Sequence, residues 1–110
     1  MSDERMARIR RLNDDLRRRG IGGTVLVSAG LHALGPATVS EVLRLVGQFD
    51  AFTAANDPHG EHDCAVLQAG ALRVLWKIDL YDNNLQHHSP DPMDPAVTRR
   101  VLTIMLAEEY

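Results

Sequence analysis

The sequence contains one cysteine, Cys64. No disulfide can close within the chain, and no thiolate cluster of the kind that holds structural zinc is available. No apolar run approaches the ~20 residues that span a bilayer, so no membrane helix is expected. The opening MSDERMARIRRLNDD is charged and lacks an apolar core, which argues against a secretory signal. With the lone cysteine, it points to a reducing cytoplasm. Basic residues are sparse after Arg19: Arg44, Arg73, Lys77, Arg99 and Arg100 stand against eleven acids. A nucleic acid would therefore find a basic footprint only on the first segment. No glycine-rich phosphate loop is present, because Gly20-x-Gly22-Gly23 precedes a strand rather than joining strand to helix. Ser28, Ser40 and Ser89 lie in no nucleophile elbow. No repeat or low-complexity tract occurs.

What remains is an ordinary globular composition, 45% apolar and 25% charged over 110 residues. That suits one domain, residues 1–110, with a modest core. The net charge of −3 hides an asymmetry. Seven of the twelve bases lie within the first nineteen positions, and eight acids face two bases between Asp50 and Asp94.

Residues 3–19 read as an amphipathic helix with Met6, Ile9, Leu12, Asn13 and Leu16 along one side. Glu4–Arg8, Asp14–Arg18 and Asp15–Arg19 have the spacing of helix ion pairs. Thr24–Ser28 is a β-branched run whose unalternating centre predicts an interior strand. Ala29–Pro36 reads as a connection with His32 inside it. Thr38 and Glu41 match a capping box, and apolar residues at helical spacing carry a second helix to about Ala55. A strand from about His62 to Gln68, an Ala69-Gly70 turn and a long strand from Ala71 to Tyr81 form a hairpin. On the long strand Leu72, Val74, Trp76, Ile78 and Leu80 face the core. Arg73, Leu75, Lys77, Asp79 and Tyr81 face outward. Asp94-Pro95 signals a helix start, and the apolar arc from Val97 to Leu106 predicts a final packed helix. The order α-β-α-β-β-α gives an α+β domain: a small three-stranded sheet with a central hairpin and helices packed on one face.

The densest polar chemistry lies at Asp57-Pro58-His59-Gly60-Glu61-His62-Asp63, with His87 and His88 in a later loop. Imidazoles and carboxylates suit a divalent transition metal, so His59, Glu61, His62 and Asp63 form a candidate ligand set. Their spacing matches no specific template, and the plain reading is a structured turn whose acids accept backbone amides. Lys77 and Asp79 share a strand face, and a simple ion pair accounts for them. Tyr81 divides between contact and edge packing. Trp76 reads as core, its indole N–H seeking Asp63 or a carbonyl. Cys64 beside acids is raised in pKa rather than activated.

Three stretches, Asn56–Asp63, Trp76–Asp82 and Asp94–Tyr110, resemble a small uncharacterised bacterial family. It is a domain of unknown function met chiefly in alphaproteobacteria and often on plasmids and other mobile elements. The starting helix and the Gly-Gly-strand are similar too. In the family an aromatic commonly stands where Cys64 and Leu80 are here. The resemblance implies no catalytic residues, only a cytoplasmic accessory protein concerned with host defence or maintenance of the element.

Three functional readings follow. The first is a non-catalytic module that binds a protein partner through the acidic turn and outer sheet face, Asp57, His59, Glu61, His62, Asp63, Lys77, Asp79, Tyr81 and Asp82. One version is anti-defence, through an acidic, nucleic-acid-like surface whose binding weakens as salt rises. This reading needs no cofactor or membrane and is compatible with a homo-oligomer. The second is a metal-dependent hydrolase or nuclease using a divalent ion on His59, Glu61, His62 and Asp63. The third is a nucleic-acid accessory using Arg8, Arg11 and Arg18.

Overall fold

The computed structural model describes residues 2–110. In chain order it contains α1 (Ser2–Arg19), β1 (Thr24–Val27), α2 (Ala29–His32), α3 (Pro36–Gln48), β2 (Cys64–Ala69), β3 (Leu72–Tyr81) and β4 (Arg99–Leu106). Single turns of 3-10 helix at Pro95–Val97 and Ala107–Glu109 flank β4. The strands form one mixed sheet in the order β1-β4-β3-β2. β1 runs parallel to β4, and the other two pairings are antiparallel. The class is α+β, as the sequence predicts, with four strands rather than three.

The fourth strand is the expected final helix. Asp94 does cap a turn, its Oδ1 accepting from Ala96 N at 2.9 Å, but that turn ends at Val97. From Arg99 the chain alternates, with Arg100, Leu102 and Ile104 turned to the core and Arg99, Val101 and Thr103 turned away. Val101, Thr103 and Ile104 are β-branched and fit a pleated surface better than a helix. The apolar arc arose because Met105 and Leu106 are also apolar, which blurs a period of two.

β1 is likewise placed differently. It lies at the sheet edge, not the interior, and leaves Val25 and Leu26 exposed. The connection after it holds α2, capped by Ser28 Oγ accepting from Leu31 N at 3.2 Å, and Leu31 is wholly buried. α3 starts at Pro36 with Gly35 as its cap. Thr38 and Glu41 therefore form no capping box, and Glu41 pairs with Arg44 at 2.6 Å. α3 stops at Gln48, well before Ala55, yet Phe49 and Phe52 still pack on the core.

Trp76 lies at the centre of that core, edge-on to Phe49 and Phe52, with Leu16, Val46, Val74 and Ile104 buried around it. Burying each large apolar side chain contributes roughly 1.5–3 kcal/mol. All three α-helices bring their buried residues to this one sheet face. No helix among the described residues is long and apolar enough to cross a membrane.

Candidate functional site

The polar turn enters β2 and is built from its own hydrogen bonds. Asp57 is buried, and its carboxylate accepts from His62 N at 3.2 and 3.4 Å while its backbone N–H donates to Thr53 O at 2.8 Å. Gly60 N closes a tight turn on Asp57 O at 3.1 Å. His62 adopts a left-handed φ of 53°, a conformation that costs a non-glycine residue about 1–2 kcal/mol. Its ring supplies the compensation. It stacks on Phe52 at 3.8 Å and 6°, places Nδ1 3.0 Å from Asp14 Oδ1, and places Nε2 3.7 Å from Asp57 Oδ2.

α1 holds the turn from below. Arg10 Nη1 donates to Gly60 O at 2.9 Å, and Asn13 Nδ2 donates to Glu61 O at 3.0 Å. Asn13 Oδ1 in turn accepts from the buried Arg100 Nε at 2.9 Å, while Arg100 Nη2 reaches Pro92 O. Asp14 pairs with Arg17 at 2.8 Å rather than with Arg18. Arg17 donates to Val46 O and Phe49 O at 2.7 Å each, so a buried guanidinium caps the C-terminus of α3. Its plane also lies 5.1 Å from the Trp76 ring centre and 5.3 Å from that of Phe52. These links were not predicted. The available signal was Asn13, a polar residue inside an apolar stripe.

The candidate ligands separate within this frame. His62 is engaged with Asp14 and Asp57, His59 is exposed, and Glu61 and Asp63 are half-buried. Among the described residues, no three His, Cys, Asp or Glu side chains gather in a way that would hold a metal ion. Burial pushes the Glu61 carboxyl above its ordinary range, and the nearby Asp63 adds to the rise. Burial likewise raises Asp63, reinforced by Asp57. The Cys64 thiol is raised by burial and by both aspartates, which leaves it unactivated.

The outer residues of β3 are where the alternation put them. Lys77 Nζ and Asp79 Oδ2 form an ion pair at 2.6 Å, and that hydrogen bond raises the lysine. Leu75 lies between Val66 of β2 and Met105 of β4. An open hollow of about 580 Å³ runs over this face beside β2, with the C-terminal turn and Tyr110 as one wall. Tyr81 stands opposite Arg99 and makes a lone bridge to His88. Asp82 caps the next loop, accepting from Gln86 N at 3.0 Å and His87 N at 3.4 Å, and these bonds lower its carboxyl. Among the described residues the buried Trp76 indole N–H has no partner, reaching neither Asp63 nor a carbonyl. Arg99 is exposed, and Arg100 braces Asn13 and Pro92.

No curated protein and no solved structure matches the chain. One family model does, over residues 27–109, from the end of β1 to the last residue but one. The match takes in the turn, the outer sheet face and β4, and leaves α1 outside it. By that match the chain belongs to the family described as a protein of unknown function, DUF3768.

Proposed function

We propose that the protein is a non-catalytic protein-binding module that meets its partner on the outer face of the sheet. The observation that supports this is the division of labour between the two polar regions. The turn spends its backbone carbonyls on Arg10 and Asn13 and the His62 ring on Asp14 and Asp57. The outer face keeps Val66 at 43% and Leu26 at 49% exposed, on either side of the Lys77–Asp79 pair. Apolar surface around a polar centre, on the sheet face opposite to the one the described helices pack on, is suited to contact with another protein. The acidic excess between Asp50 and Asp94 adds electrostatic steering, so binding weakens as salt rises. The accessory setting, host defence or maintenance of a mobile element, belongs to the same proposal and rests on the resemblance.

The test begins with proximity labelling in the native cell, followed by purification of the recovered partner. Its affinity is then measured for wild type and for Leu75→Asp, with a thermal melt confirming that the variant folds. A charge at the middle of a true interface is expected to weaken binding at least tenfold. Unchanged affinity would remove the outer face from consideration.

A further inference from the structure

We propose that the partner contributes an extended segment that joins the open edge of β2 as a fifth strand, with alternate side chains entering the hollow beside it. The inference rests on the protein-binding reading and specifies how the partner is held.

β2 ends the sheet, so among the described residues one side of its backbone has no neighbouring strand. Which residues face that side follows from one hydrogen bond. Asp63 O accepts from Ile78 N at 2.7 Å, which makes these two a bonded pair of the antiparallel ladder. Bonded pairs recur every second residue, so Ala65, Leu67 and Ala69 turn toward β3. Cys64, Val66 and Gln68 therefore direct their N–H and C=O groups away from the sheet. The same three are the exposed residues of the strand.

Sheet edges are normally blunted by charge, proline, a bulge or a covering element. Cys64–Ala69 carries no charge and no proline, and its register with β3 runs unbroken from Cys64↔Lys77 to Ala69↔Leu72. The hollow follows this same edge, and its size falls in the range of ligand pockets. Val66 and Leu75 give it an apolar floor, Asp63 and Asp79 stand toward one end and Arg73 toward the other. Edge and hollow together select an extended peptide, because main-chain pairing supplies affinity and alternate side chains supply specificity. The complementary segment has an apolar residue over Val66 and Leu75, a base toward Asp63 and an acid toward Arg73. The opposite edge, β1, offers four residues against six.

The probe is a short synthetic peptide of alternating valine and threonine, with lysine at one end and glutamate at the other. Amide exchange and fluorescence anisotropy are followed on the whole protein. Protection is expected at the amides of Cys64, Val66 and Gln68 and not at those of β1. Val66→Pro removes one outward N–H without touching the β2–β3 ladder, so it should fold and weaken binding at least tenfold. Val25→Pro, the matching outward position on β1, should bind as wild type; that side is fixed by Ser28 N donating to Ile104 O at 2.9 Å. Should Val66→Pro fail to fold, the exchange pattern of the wild type decides alone. Absence of binding, protection centred on β1, or full affinity in a folded Val66→Pro would overturn the proposal. A wild-type dimer in sedimentation that Val66→Pro makes monomeric would overturn it too, because a second copy would then hold the edge. With the native partner, lost affinity in Leu75→Asp but not in Val66→Pro would leave the outer-face reading standing and remove strand addition alone.

Discussion

Asp63 joins the two polar regions. Its carbonyl is bonded into the β2–β3 ladder, the residue borders the hollow, and its half-buried carboxyl sits among other acids. Burial and the Asp57 charge hold that carboxyl above its ordinary range, so folding disfavours its ionised form. The sign follows from linkage. A group raised by folding contributes stability that is complete below the unfolded carboxylate range and is lost as pH rises through the folded value. Asp63→Asn is therefore expected to melt higher than wild type at neutral pH, with the difference vanishing in acid. Melts across a pH series check this, and a variant that is less stable at neutral pH would show that the carboxylate itself is needed. At this scale the sequence was partly readable. The outward positions of Lys77 and Asp79 followed from alternation, as did the ion pair between them. The engagement of His62 with Asp14 did not, because contact across a separation of 48 residues leaves no mark in local spacing.

Elements were legible where one period dominated. α1 and β3 stand where the spacing of three and four, or of two, placed them. β4 was hidden because Val101 to Leu106 satisfies both periods, and the choice falls to pairing partners that the sequence does not display. Those partners are β3 on one side and β1 on the other. Gly23, just before β1, shows how tightly that pairing is drawn. A Cβ there would run into the Arg100 carbonyl oxygen and stand 2.9 Å from Leu16 Cδ2. The first obstacle is backbone and cannot rotate away. Gly23→Ala is expected to destabilise the fold by about 1–3 kcal/mol through overpacking, measured by urea denaturation. A neutral result would mean that β1 moves freely against β4. Gly30 instead meets the carboxylate of Glu109, a side-chain end rather than backbone. That carboxylate accepts from Ser28 Oγ, from Gly30 N at 3.0 Å and from Leu106 N at 2.8 Å, so an alanine there has to break these bonds to fit.

For the molecule as a whole, the decisive arrangement is that α1 lies outside the stretch matched by the family model and yet fastens the pieces inside it. Through Arg10 and Asn13 it holds the turn, through Asn13 it orients Arg100 of β4, and through Arg17 it closes the end of α3. Arg17 is the strongest single link, because its side chain is fully buried and its guanidinium serves Asp14 and the carbonyls of Val46, Gly47 and Phe49 at once. Removing it leaves Asp14 to the His62 ring and reopens the α3 terminus, and breaking a buried charged pair costs about 3–5 kcal/mol. Against a total of roughly 5–15 kcal/mol for an ordinary domain, that is a large share. Arg17→Ala is therefore expected to lose much of its stability in urea and to gain amide exchange in α3 and the turn together. Arg17→Lys keeps the charge but lacks the planar fork, so it should fall between the two. Exchange confined to α1 would show that the helix is an appendage. Concerted exchange would show that the outer face and the β2 edge stay in register only while α1 is docked.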